Sequence, residues 1–163
     1  MCLIISKVYH KKDKSNMIKC LVAQEDILVY KCLDCINGEY CTPFQYMPII
    51  FTKGKYAYNK VNMPKSKCYW NDTIGVGIHA YRTRGKAIKV AKDFHMMAKD
   101  FHKTNGTSMH YAVIPKGSNF YVGQSNGIVS NNLIVYREKR CFDRYYPNII
   151  NFNKYIDKYL KEE

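Results

Sequence analysis

Apolar positions in the first third of the chain come in runs of strand length. Residues 2–5 (CLII) and 19–23 (KCLVA) flank the polar, basic stretch 10–16 (HKKDKSN), which has hairpin-loop character. The run 26–33 (DILVYKCL) is β-branched and aromatic, as a buried strand is. Asn37-Gly38 then supplies the turn signal for a hairpin. Pro48, inside the apolar run of residues 44–60, demotes that segment to an edge strand or irregular crossing, and a Lys-Gly-Lys turn follows at 53–55. Residues 61–73 are polar and turn-rich, with Pro64 and the chain's lone Trp70, and read as a loop that closes over something.

The period then changes. Residues 73–81 (TIGVGIHAY) read as a strand in which Gly75 and Gly77 permit a bulge or a close approach. After Thr83, placed as an N-cap, apolar residues at 87, 91, 94, 98 and 101 recur at helical spacing and predict one long central helix over 84–104, closed by Asn105-Gly106. Lys92, His95, Lys99 and His102 share its outer face, a solvated face by the same spacing. Strands follow at 109–117, 119–123 and 131–139. Apolar positions at 149, 152, 156, 159 and 160 predict a C-terminal helix docked on the sheet. No internal repeat or linker divides the chain. The expectation is a single α+β domain over 1–163, with a mostly antiparallel, curved sheet.

Composition narrows the function classes. Of 26 basic residues five are Arg, against 13 acids, so the net charge of +13 is carried mainly by Lys and favours nucleic acid or another polyanion as partner. No run approaches the length of a membrane span, so no membrane is expected. The first residues place a short apolar run before the charges, the reverse of a secretory signal, so the chain is not expected to be secreted. Seven cysteines, an odd number, then fit reduced thiols in a cytosol-like compartment. Abundant Lys, Asn, Ile and Tyr match an AT-rich coding sequence, as in a virus, a phage or an AT-rich bacterium.

Chemistry-bearing motifs are sparse. Cys32 and Cys35 form C-x-x-C with Cys41 six residues on, weak zinc candidates, because a fourth ligand must come from Cys68 or His79 on distant segments. His79 lies in a strand with no nearby acid to orient it, and between Asp34 and Asp143 the only carboxylates are Glu39, Asp72, Asp93, Asp100 and Glu138. The phosphate-loop, dinucleotide-fold and serine-hydrolase motifs are incomplete or missing.

Two blocks carry a resemblance. GIHAYRTRGKAIKVA (77–91), followed by YAVIPKGSNFYVGQSNGIVSNNLIVYRE (111–138), with VYKCL and YCTPFQY upstream, resembles a domain that recurs in phage and large-DNA-virus proteins, over about residues 27–138. The order of elements is also similar to ADP-ribosyltransferase-type folds. That resemblance implies Lys31 at the early basic position, His79 to Tyr81 in place of the Ser-Thr-Ser motif, and Asn132 where the catalytic Glu stands, with Glu138 as a displaced acid. An oxocarbenium-like sugar needs a carboxylate beside it, and Asn supplies none, so the resemblance implies a non-catalytic relative.

The expected function is therefore a viral or phage accessory protein, in the host cytoplasm or the virion. It would be a non-catalytic basic module binding nucleic acid, nucleotide or a host or viral protein through Lys31, His79, Tyr81, Arg82, Arg84 and Asn132. The alternatives are an NAD-using ADP-ribosyltransferase-like enzyme, with His79, Tyr81 and Glu138 to test, and a structural virion protein contacting the genome.

Overall fold

The computed structural model describes residues 3–36, 38–42, 49–51, 55–101 and 106–161, with backbone alone for 94–101. Asn37, Pro48, the Lys53-Gly54 part of the next turn, His102 and Asn105 lie outside these residues. The side chains of His95 and Lys99 lie outside them too.

Alternation along the longest strand organises the rest. In Ile27–Ile36 the residues Ile27, Val29, Lys31 and Leu33 face one way and Leu28, Tyr30, Cys32 and Asp34 the other, and Ile27, Val29 and Leu33 are fully buried. Lys31, Cys32 and Asp34 are buried as well, so the strand is covered on both faces, and two charged groups are buried with the apolar ones. In chain order the strands are β1 (Leu3–Ile4), β2 (Met17–Lys19), β3 (Leu21–Val22), β4 (Ile27–Ile36), β5 (Glu39–Cys41), β6 (Tyr56–Lys60) and β7 (Ser66–Cys68). There follow β8 (Thr73–Ile74), β9 (Ile78–Tyr81), β10 (Thr107–Ile114), β11 (Asn119–Val122), β12 (Gly127–Ser130), β13 (Asn132–Tyr136) and β14 (Ile150–Asn151). The helices are α1 (Arg84–Phe101), α2 (Lys139–Tyr145) and α3 (Phe152–Tyr155), the last running into a π-helical turn at Ile156–Leu160.

The main sheet runs β3-β11-β12-β9-β4-β10-β13-β6. It is two four-stranded halves, because β9 and β4 meet at one residue pair, Tyr81 with Tyr30, whereas β10 follows β4 over eight pairs. The second edge of β4 is shared in turn by β14, in parallel at Ile27 and Leu28, by β9 at Tyr30, and by β5 at Asp34 to Ile36. The other described pairings are antiparallel, so the α+β class and the mostly antiparallel sheet are as expected.

One core joins both halves. Val29, Leu33, Ala112 and Val135 from one half meet Phe120, Val122 and Ile128 from the other, and Phe152, Tyr155 and Ile156 close over them. Phe152 and Tyr155 both set rings edge-to-face on Phe120, at 5.9 and 6.0 Å. Emptying such a site, as in Phe152→Ala, costs about 3–5 kcal/mol. On the opposite face of the first half, β1, β2 and β8 pack Leu3, Ile5, Ile18 and Ile74 against Tyr121 and Val129.

Three expectations are corrected. Helical residues are divided among helices of 18, 7 and 4 residues, so the fold is not built on one long central helix. α1 lies on the outer face of one half, where it buries Ala87 and Ala91 against Cys32, while the main core is closed by α3. The C-terminal helix does not begin at 149, because Asn151 is its N-cap and accepts the Lys154 amide at 2.9 Å, leaving Ile150 to pair with β4. Finally, residues 73–81 are two strands broken at Gly77, whose φ of +140° only glycine adopts readily, and whose missing Cβ would stand 2.2 Å from Val129 Cγ1. Among the described residues no helix is long and apolar enough to cross a membrane.

Candidate ligand pocket

The backbone break at Gly77 sets the pitch of β9, so that Ile78 and Ala80 enter the core while His79 and Tyr81 face the side that carries α1. The hairpin between β11 and β12 turns through Ser125 and Asn126 at φ of 55° and 63°, the two left-handed positions a type I′ turn requires. Asn126 holds the chain leaving β9: its carbonyl accepts the Arg82 amide at 2.9 Å and its side-chain oxygen accepts Arg82 Nε at 2.6 Å. Thr83 then caps α1, its hydroxyl accepting the Lys86 amide at 3.3 Å. Between the helix, the hairpin turn and β1 lies a cavity of about 260 Å³, lined by Leu3, Ile4, His79, Ala80, Tyr81, Lys86, Val90, Gln124, Ser125 and Gly127.

Its chemistry follows from those residues. Burial, with the nearby Lys31 charge, pushes the His79 imidazole down to about 4, and a hydrogen bond to the Gly75 carbonyl offsets only part of this, so the ring is neutral at pH 7. Nε2 of His79 is buried without a hydrogen-bond partner. Burial pushes the Tyr81 phenol up to about 12, so it stays protonated. Lys86 adds a cation to a lining that also holds the uncharged polar Gln124 and Ser125, and no carboxylate is among these lining residues.

Lys31 stands behind this wall, on the opposite face of the sheet. It is 6% exposed, and in the gap where β4 and β9 diverge its ammonium donates to the His79 carbonyl at 2.6 Å. Burial lowers its pKa to about 8. Lys31, His79 and Tyr81 are therefore brought together, but only the latter two reach the cavity.

The other sequence-derived residues lie elsewhere. Arg82 is locked by Asn126, and Arg84 is exposed at the start of α1, close to Tyr30. Asn132 is on β13, two strands from β4, where its amide donates to Ser118 Oγ at 3.3 Å and its oxygen accepts from Tyr58. Glu138 precedes α2, where its carboxylate is paired with Arg140. Cys32 and Cys35, three apart on a strand, fall on opposite faces. The Cys32 thiol donates to the Ala87 carbonyl at 3.0 Å beneath α1, and burial pushes it up to about 11. Among the described residues no group of three His, Cys, Asp or Glu side chains could hold a metal ion.

Sequence reasoning missed Lys86, Val90, Gln124 and Ser125. Lys86 and Val90, four apart on α1, carry a helical signal that spacing alone could have read as a second face. It also passed over His110, which is buried and satisfied: Nδ1 donates to the Tyr136 and Arg137 carbonyls at 3.1 Å, and Nε2 accepts from Ser108 at 2.6 Å. Comparison with protein-family models, curated proteins and solved structures finds no match to this chain.

Proposed function

We propose that the protein is a non-catalytic, basic binding module, a viral or phage accessory protein, that holds a small anion-bearing ligand of nucleotide type in the pocket between β9 and α1. The observation that carries this reading is the state of the pocket's titratable groups. His79 is held neutral far below pH 7 and Tyr81 protonated far above it, so neither is poised to exchange a proton at physiological pH. The same residues suit binding: the His79 ring and the Tyr81 phenol as flat, neutral contacts and the Lys86 ammonium for an anion, with Leu3 and Val90 as apolar walls.

The enzymatic alternative, NAD-dependent ADP-ribosyl transfer, needs a carboxylate at the reacting ribose, and the nearest candidate by sequence, Glu138, is engaged with Arg140 before α2. The test is a thermal-shift titration with ATP, ADP-ribose and NAD, using wild type, His79→Ala and Lys86→Ala. A ligand that prefers the folded state raises its melting temperature. The reading expects a rise with at least one of these nucleotides that both variants diminish. Absence of any rise refutes it, and consumption of NAD that His79→Ala abolishes replaces it with the transferase.

A further inference from the structure

Away from the pocket, the surface built by β2 and β7 carries the chain's one tryptophan in the open. Trp70 is 81% exposed. Its neighbour Tyr69 presents a ring edge-on, with centroids 5.6 Å apart and planes at 83°, and is itself contacted by two cations: the Lys7 ammonium lies 4.2 Å and the Lys12 ammonium 5.4 Å from the Tyr69 ring centre. The backbone fixes this arrangement, because the Tyr69 amide donates to the Asn16 carbonyl at 2.9 Å and β2 pairs with β7 over three residues. The indole is thus displayed on a braced support rather than on a free loop.

The same pairing concentrates positive charge. Five lysines fall between positions 7 and 19, and Lys65 and Lys67 join them across the β2–β7 ladder. The two carboxylates of these segments are already engaged: Asp72 with Lys7 at 3.2 Å, and Asp13 with Lys19 at 3.8 Å and with the amides of Ser15 and Met17.

We infer that the Tyr69–Trp70 surface binds single-stranded nucleic acid, an unpaired base stacking on the Trp70 indole while the surrounding lysines contact the phosphates. Flat aromatic platforms within a basic surface are how proteins hold single strands without reading their sequence. A lipid surface is the less fitting partner. One indole offers about 200 Å², the scale of a base, whereas an interfacial segment buries a continuous apolar face, and Trp70 is followed directly by the polar Asn71 and Asp72, with Lys67 three residues before it. This inference does not depend on the pocket, and its test does not involve the pocket residues.

Because Trp70 is the only tryptophan, its fluorescence reports on the site directly. The probes are an oligothymidylate of about twelve nucleotides, a length within the range that single-strand sites occupy, and an abasic strand with the same number of phosphates. Oligothymidylate should quench Trp70 and bind more tightly than the abasic strand. By anisotropy with a labelled strand, Trp70→Ala should weaken binding about tenfold, with Trp70→Phe retaining most of it. Affinity should fall steeply with salt for both strands. Equal affinity for the two strands, or no loss in Trp70→Ala, overturns stacking. So does a blue-shifted Trp70 spectrum on anionic phosphatidylglycerol vesicles without quenching by the oligonucleotide, which would assign the surface to a membrane. Trp70 is exposed, so its variants should retain the wild-type melting temperature, and the comparison reads binding rather than folding.

Discussion

Lys31→Met should make the protein more stable at neutral pH, although it deletes a hydrogen bond. Lys31 is nearly fully buried, its ammonium has the His79 carbonyl as its partner at 2.6 Å, and burial lowers its pKa from the usual 10.5 to about 8. In the unfolded chain the amine keeps its ordinary value, so below pH 8 it is charged in both states and the folded state bears the desolvation. A difference of about 2.5 pKa units corresponds to about 3 kcal/mol. Methionine is of similar length and removes that cost, while loss of the hydrogen bond returns about 1 kcal/mol. The net gain is about 2 kcal/mol, or about 6 °C in melting temperature for a domain of this size. The sign is fixed by proton counting. Between pH 8 and 10.5 the unfolded chain binds more protons at this site than the folded one, so wild-type stability contains a component that rises with pH across that window. Lys31→Met should lack it, so the wild-type curve should climb to meet that of the variant, cross it near about pH 9.5 and end about 1 kcal/mol above it, the share of the hydrogen bond that wild type keeps. Urea denaturation at half-unit steps from pH 6.5 to 10.5 measures both curves. A variant less stable than wild type at pH 7, with parallel curves above pH 8, would refute the reasoning and mean that the ammonium is stabilised where it stands.

Gly77→Ala should destabilise by about 3 kcal/mol, combining a left-handed backbone with a Cβ placed 2.2 Å from Val129 Cγ1, and Val129→Ala in the same chain should recover only the packing share. A urea midpoint equal to wild type would contradict this. On the acid side, burial lowers His10, His79 and His110 below 6.5, His79 to about 4, so the unfolded chain binds more protons and stability should fall as the pH drops from 6.5 towards 4. Replacing His79 with Gln should flatten part of that fall, as thermal melts across the window would show. Under iodoacetamide at pH 8, the exposed Cys68 should react first and Cys32, buried, bonded to Ala87 and pushed up to about 11, among the last. Mass spectrometry of timed digests reads the order, and early labelling of Cys32 would mean that α1 lifts from the sheet.

What the sequence carried was local, and what it lacked was partnership. Alternation located β4, β9, β11 and β13 within a few residues, and the Thr83 cap and the need for glycine at 77 were both legible because they rest on neighbours in the chain. Residues 2–5 and 19–23, by contrast, look like the arms of one hairpin, yet β1 pairs with β8, β2 with β7 and β3 with β11. Nothing in two-residue periodicity says which distant edge a short strand will join. The loop expected at 61–73 contains β7 for the same reason. α2 has no counterpart in the sequence reading, in which the last strand runs to 139 and the next element starts from 149, since its seven residues bury only Phe142 and leave little helical period to read. Of the candidate site, His79 and Tyr81 were legible, because they sit on a regular strand. Lys86 and Val90 with Gln124 and Ser125 were not, because a helix and a hairpin turn that the sequence separates by more than thirty residues bring them together.

The crowded edge of β4 has a consequence for how the molecule is made. That edge is completed by residues 39–41, 81 and 150–151, and the Ala23–Leu28 region is further clasped by Tyr155, whose hydroxyl accepts the Gln24 amide at 3.0 Å, and by Lys158, which meets Glu25 at 2.8 Å. During synthesis β4 emerges early and waits for partners encoded more than a hundred residues later. Its nascent form therefore presents an apolar, half-paired strand for most of translation. Such edges recruit other chains, and distant pairings close slowly. Assembly of the sheet is completed only when residues 150–158 are available, and the yield of soluble protein should depend on how well β4 is shielded until then.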